Sequence, residues 1–168
     1  FKNMNHPVAM LEDNLLMNTL VLKYARLHRV EKIISILSTC IFPDQRTDGV
    51  LEESMLHDGA PHPSNEGYAY AKRMMEVQTR LLSTGADGIG CVGVSLIPTN
   101  LYGPGDTFDL ENAHVLPALI HRCALAIQRG EPFRIKGSGA PIRQFLFVDD
   151  FARQILWAVR QASSSGCY

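Results

Sequence analysis

The chain has 168 residues, with 16 Lys and Arg against 17 Asp and Glu, 46% hydrophobic and 20% charged residues. That length suits one ordinary domain with a core of its own. The balanced charge leaves no long-range field to gather nucleic acid or an anionic membrane, and no uncharged apolar run of about 18 residues is present to span a bilayer. Four cysteines, Cys40, Cys91, Cys123 and Cys167, lack the close pairing of a zinc site, and the six histidines do not complete one. No metal is expected, and the thiols read as free in a reducing cytoplasm. The chain opens at Phe1 without a charged-then-apolar leader, so it reads as a piece of a longer protein rather than a secreted precursor.

From Pro7 to about Leu27 apolar residues recur at helical spacing, with Pro7 suited to a first turn. Lys32–Leu37 is a β-branched, mostly apolar run that predicts a strand covered on both faces, and therefore a parallel sheet. A long polar loop from Ser38 to about Glu66 leads to a second helix from Gly67 to about Leu82. Loops of that length inside compact domains are usually functional. Cys91–Ile97 predicts another buried strand, closed by Pro98 and followed by a turn-rich region from Asn100 to Asp109. Val115–Gln128 reads as helix, Phe133–Lys136 and Gln144–Val148 as short strands, and Asp149 as the N-cap of a last helix. Ala162–Gly166 reads as a frayed end. Strands alternating with helices place the chain in the α/β class, with right-handed crossovers between parallel strands.

Gly88-Ile89-Gly90-Cys91-Val92-Gly93 matches G-x-G-x-x-G letter for letter. That fingerprint cradles a pyrophosphate because it follows a strand and opens a helix. These glycines follow a helix and enter a strand, so they read as a turn.

The chemistry is concentrated elsewhere. Ser38, Thr39 and Cys40 lie just past a strand end, where open α/β sheets bind ligands. Tyr68 and Lys72 are four apart at the start of a helix, hence on one face. An ammonium beside a phenol favours the phenolate, and a tyrosine so tuned can exchange a proton with a carbonyl or alcohol oxygen. Each signal alone is ordinary: a Tyr and a Lys four apart are common on a solvated helix face, and a free cysteine is commonly a small buried hydrophobe.

Taken together, Leu37–Pro43, Gly67–Lys72, Pro98–Pro104, His114–Leu119, Gly137–Phe145 and Phe147–Asp150 resemble, in order, the extended short-chain dehydrogenase/reductase family. Within it they are most similar to the branch that epimerises and then reduces a GDP-linked 4-keto-6-deoxy sugar. The resemblance implies a doubly wound, parallel Rossmann-type sheet, here incomplete, with part of a smaller substrate-binding lobe. It implies residues 1–105 in the dinucleotide-binding domain, 106–142 at the start of the substrate lobe, and 143–168 as a strand and helix returning to the main domain. NADP(H) is the implied cofactor, a GDP-linked sugar the substrate, and a homodimer through the helices at 7–27 and 67–82 the implied assembly. Cys40 would be the base and His114 the acid of the epimerisation, chemistry suited to a thiolate and to an imidazole titrating near neutrality. Tyr68 would protonate the reduced oxygen, Lys72 would hold the nicotinamide ribose, and Ser38 would bond the keto oxygen. Ile36, Leu37, Ser38, Thr39, Tyr68, Lys72, Pro98, Thr99, Asn100, Leu101 and His114 would line the cofactor. Asn100, Arg122, Lys136 and Arg143 would face the substrate, the guanidinium forks suiting a diphosphate.

Two departures stand out: the family's first glycine-rich loop does not precede Phe1, and Lys136 stands where a tryptophan is expected. These 168 residues alone are therefore expected not to turn over substrate. Another nucleotide-sugar epimerase or dehydratase, or a non-catalytic module of the same fold, are the competing readings. Cys40 with His114 argues against the first; the missing cofactor loop and Lys136 favour the second, and the joint retention of Ser38, Cys40, Tyr68, Lys72 and His114 argues against it.

Overall fold

Pro7 brings a pre-set φ to the first turn of α1 (Pro7–Leu27), which needs no side-chain cap from His6. The computed structural model describes residues 5–44, 50–85, 90–135, 137–140 and 142–168. Gly88, Ile89, Lys136 and Pro141 therefore lie outside the described residues. The chain divides into two compact units, Phe1–Pro98 with Gln154–Tyr168, and Thr99–Arg153.

In the first unit α1 ends at Arg29, a non-glycine in the left-handed region (φ 53°), with Val30 N donating to Ala25 O at 2.9 Å. The chain then enters β1 (Lys32–Ile36), whose β-branched residues suit a pleated, doubly covered strand. After single turns at Thr39–Ile41, Glu53–Met55 and Pro63–Asn65 it forms α2 (Glu66–Ser83), which packs on α1. β2 (Val92–Leu96) pairs in parallel with β1, Lys32 opposite Val92 through Ile36 opposite Leu96. Parallel pairing of neighbours separated by a helix is the crossover that the alternating pattern predicts.

α2 lies so close to β2 that a Cβ on Gly93 would sit 2.8 Å from the Thr79 carbonyl oxygen and collide with Ser83 Oγ. The third glycine of the rejected fingerprint thus has a packing role in a strand. Beneath the same helix Ser35 Oγ and Thr79 Oγ1 share a buried hydrogen bond of 2.6 Å, tying β1 to α2. Leu37, Ile41, Phe42 and Leu56 form a buried cluster against which Cys40, Met75, Ile97 and Cys167 pack.

The supposed frayed end is instead ordered. Gly166–Cys167 forms β5, parallel to β2, with Tyr168 N donating to Ser95 O and Ile97 N to Tyr168 O. Ser165 Oγ accepts from Gly93 N at 3.1 Å, so a small-residue segment that looks unstructured supplies a strand its open ladder partner. The sheet order is β1-β2-β5.

In the second unit β3 (Asn100–Tyr102) pairs in parallel with β4 (Phe145–Phe147). Asn100–Tyr102, expected at the start of a turn-rich region, is instead a strand whose hydrogen bonds come from a segment far along the chain. Phe133–Ile135 is not a strand: Phe133 and Ile135 stay exposed and no neighbour among the described residues pairs with them. Helix α3 (Val115–Arg129) closes on Gly130 in the left-handed region (φ 63°). α4 (Val148–Gln161) begins at Val148, directly after β4, so Asp149 sits inside its first turn rather than capping it. There its charge still complements the helix dipole. At the far end of α4, in the first unit, Lys32 Nζ donates to Val159 O at 2.6 Å and Ala158 O at 3.4 Å.

Two predictions follow from this packing. Gly93→Ala must push β2 off α2 and is expected to cost about 1–3 kcal/mol, read by urea denaturation; an unchanged midpoint contradicts the close approach. Burial, helped by Glu76 and Glu53, pushes the Cys167 thiol up to about 11 from 9.0. The folded state therefore holds that proton more tightly than the unfolded one, and the associated stability is intact below pH 9 and lost as pH climbs through about 11. Cys167→Ala should lose less melting temperature between pH 8 and 11 than the parent; parallel slopes contradict this.

Candidate active site

β1 ends at Ile36, and its last carbonyl is used at once: Lys72 Nζ, from the second turn of α2, donates to Ile36 O at 2.9 Å. Ser38 then turns the chain from extended backbone (φ −160°, ψ 147°) into the Thr39–Ile41 turn, and its Oγ accepts from Cys40 N at 3.4 Å. The small polar residue after the strand thus caps the turn that carries Cys40. Arg73 Nε donates to Ile41 O at 2.7 Å, closing the other side of the turn. Ser38, Thr39, Cys40, Tyr68 and Lys72 are all half-buried here, at the carboxyl end of a parallel strand.

The Lys72 ammonium lies 5.8 Å from the centroid of the Tyr68 ring. Four-residue spacing on α2 therefore does bring the pair together. The expected downward tuning of Tyr68 is corrected, however. Burial pushes the phenol up, and charge on Cys40 adds in the same direction. Burial pulls the Lys72 ammonium down, with charge on Cys40 opposing. At Cys40, burial raises the thiol, while Ser38 and the cations Lys72 and Arg73 favour the thiolate. Mutual influence of this kind places a thiol, a phenol, an ammonium and a guanidinium in one electrostatic neighbourhood. Hydroxyl and ammonium donors at such a strand end suit the ribose and amide groups of a nicotinamide nucleotide. Ile36 is exposed at the rim, Leu37 turns its side chain into the core, and Pro98 is half-buried after β2.

The remaining expected residues lie in the second unit. Thr99 leads into β3, which contains Asn100 and Leu101, and Asn100 Nδ2 donates to Gln144 O at 2.9 Å. His114 is exposed at the N-cap of α3 and makes no side-chain cap bond. The loop that leads to it is shaped by Asp109, which accepts from Glu111 N at 2.9 Å and Asn112 Nδ2 at 2.8 Å. Arg122 lines an open cavity of about 580 Å³ together with Arg129, Arg134 and Glu131. Arg143 is exposed, its Nη1 donating to Ile142 O at 2.9 Å. Lys136 lies outside the described residues. Sequence reasoning had singled out neither Arg73 nor the Arg129 and Arg134 that share the Arg122 cavity. The signals were faint: an arginine beside a lysine, and cations at the end of a helix and just past it. Among the described residues no group of three or more His, Cys, Asp or Glu could hold a metal ion, and no helix is long and apolar enough to cross a membrane.

The chain is similar to known proteins over nearly its whole length. GDP-L-fucose synthase of Dictyostelium discoideum is 44% identical over 159 residues, covering 95% of this chain and 48% of that protein. GDP-L-colitose synthase of Yersinia pseudotuberculosis is 32% identical, covering 94% and 50%. Among solved structures, a GDP-L-fucose synthetase from Naegleria fowleri bound to NADP superposes with a TM-score of 0.86 at 45% identity, covering all of this chain and 55% of that one. The chain thus spans about half the length of the curated relatives it matches. Residues 1–167 match the NAD dependent epimerase/dehydratase family, and the chain, with its parallel β1-β2-β5 sheet and its Ser-Tyr-Lys grouping, belongs to that family.

Proposed function

We propose that the protein carrying these residues is an NADPH-dependent epimerase/reductase that converts GDP-4-keto-6-deoxy-D-mannose to GDP-L-fucose. The observation that carries this reading is the half-buried Cys40 in the same neighbourhood as Ser38, Tyr68 and Lys72. A plain ketone reductase has no use for a second base beside its tyrosine. An epimerase working next to a ketone does.

In this reading the Cys40 thiolate removes the proton from a carbon beside the ketone, and the ketone oxygen takes up the charge. His114 is the acid that returns a proton. Repetition at the second flanking carbon completes the double inversion. NADP(H), when bound, supplies the hydride for the ketone carbon; the Tyr68 phenol donates the proton to its oxygen, and Ser38 Oγ holds that oxygen in line. A raised phenol suits a proton donor, since it stays protonated at neutral pH until charge develops beside it. Lys72, braced by Ile36 O, is placed to hold the nicotinamide ribose, with Ile36, Leu37, Thr39, Pro98, Thr99, Asn100, Leu101 and His114 lining the cofactor. Arg122, with Arg129 and Arg134 beside it, is suited to the sugar diphosphate, as is Arg143. Asn100 and Lys136 complete the substrate contacts. Residues 1–105 and 143–168 would then serve the dinucleotide-binding domain and 106–142 the substrate lobe.

α1 and α2 expose Leu20, Tyr24, Leu27, Met74 and Leu81. Apolar side chains on two packed helices fit a second copy of the same pair, giving a homodimer through a four-helix bundle. Four free cysteines fit a cytoplasmic enzyme. The likeness to a GDP-L-colitose synthase favours, as a second reading, a related GDP-linked keto-deoxysugar as substrate.

The full-length protein, given NADPH and GDP-4-keto-6-deoxy-D-mannose, is expected to yield GDP-L-fucose and to sediment as a dimer. Cys40→Ser should lower product formation by about 100-fold or more. A folded parent that binds NADPH and leaves this sugar untouched contradicts the reading, and a monomer contradicts the assembly.

A further inference from the structure

Arg73 is 4% exposed, and a buried guanidinium is costly unless charge or hydrogen bonds compensate it. Its neighbours fall short of that. Nε donates to Ile41 O at 2.7 Å, the Tyr70 ring centroid lies 5.5 Å from Cζ, and Nη2 is buried without an acceptor. No carboxylate pairs with it among the described residues: the nearby buried Glu76 is taken by Arg80 at 3.1 Å and His57 at 3.0 Å. The acidic groups whose charge acts on it are Tyr70 and Cys40. Tyr70 already offers its ring face, which leaves the Cys40 thiolate as the anion this cation is placed to meet.

We propose that Arg73 is a positioning residue for Cys40: it clamps the Thr39–Ile41 turn through the Ile41 carbonyl and keeps a buried counter-charge for the thiolate. This rests on the reading of Cys40 as the base. Both adjacent cations favour the thiolate, Lys72 first and Arg73 after it; Lys72 is held on Ile36 O at the strand end and over Tyr68, whereas Arg73 is held on Ile41 O, in the turn that carries the cysteine. The groups facing Cys40 are Ser38 from its own turn and Tyr68, Lys72 and Arg73 from α2. Of these, Lys72 and Arg73 are the cations that favour its ionised form, Lys72 the more strongly, and Arg73 is the one whose side chain is shut away from solvent against the turn.

The test is the pH profile of Cys40 alkylation by iodoacetamide, located by peptide mass spectrometry, in the full-length parent, Arg73→Gln and Arg73→Lys. Glutamine keeps a donor for Ile41 O and removes the charge. Lysine keeps the charge on a shorter stem without the fork. The midpoint is expected to rise in the order parent, Lys, Gln, with the thiolate fraction at pH 8 falling about threefold or more in Arg73→Gln. A residue that merely packs would change the melting temperature and leave the midpoint in place. A midpoint equal to the parent's in whichever variant keeps the parent's circular dichroism overturns the proposal. The readout needs no sugar substrate, so failure here is distinct from failure of the proposed reaction.

Discussion

The Ile36 and Ile41 carbonyls, five residues apart, accept from adjacent cations on one helix, and the site hangs on those two hydrogen bonds. Ile36 O is the last carbonyl of β1. Ile41 O belongs to a turn that no sheet supports. Lys72 and Arg73 satisfy both, and in doing so they fix the distance between a strand end and a helix start. Ser38, Cys40 and Tyr68 occupy the gap so defined. A charged donor to a carbonyl makes a stronger hydrogen bond than a neutral one, which suits a turn that holds the proposed base in place.

The helix that provides these cations is itself held from below. Ser35 and Thr79 share a buried hydroxyl pair between β1 and α2, and Gly93 lets α2 settle directly on β2. Fold and chemistry are therefore one construction. The residues that bring α2 down on the sheet, Ser35, Thr79 and Gly93, lie under the half of the helix beyond Lys72 and Arg73. Burial then has a chemical consequence: it pushes the Cys40 thiol and the Tyr68 phenol up and the Lys72 ammonium down, working in each case against the charged form. Perturbation of several neighbouring groups at once is common where protons are exchanged.

Much of this was legible from residue order. Long periodic segments such as Pro7–Leu27 and the β-branched run at Lys32 follow from local preference, and the structure agrees with them. The four-residue spacing of Tyr68 and Lys72, and the polar turn after β1, also led to residues that the fold brings together. What escaped was decided at long range. β3 and β5 are three and two residues long, and each becomes a strand because a distant segment offers hydrogen bonds. Phe133–Ile135 has a similar local pattern but no such partner among the described residues, and stays irregular. The upward shift of Tyr68 escaped because spacing reveals the ammonium beside the ring but not the burial of both. Arg73 escaped because its neighbour along the chain carries the motif, while its own meaning depends on the Ile41 carbonyl and on having no carboxylate partner among the described residues.

The account turns on two separable proton-transfer duties at one strand end, Cys40 for carbon and Tyr68 for oxygen. The most direct measurement is solvent deuterium wash-in at the two carbons flanking the ketone of GDP-4-keto-6-deoxy-D-mannose, followed by NMR without NADPH, in Tyr68→Phe and Cys40→Ser of the full-length protein. The account predicts that Tyr68→Phe keeps the exchange and loses the NADPH-dependent reduction, while Cys40→Ser loses the exchange. Exchange that survives in Cys40→Ser and disappears in Tyr68→Phe would contradict it.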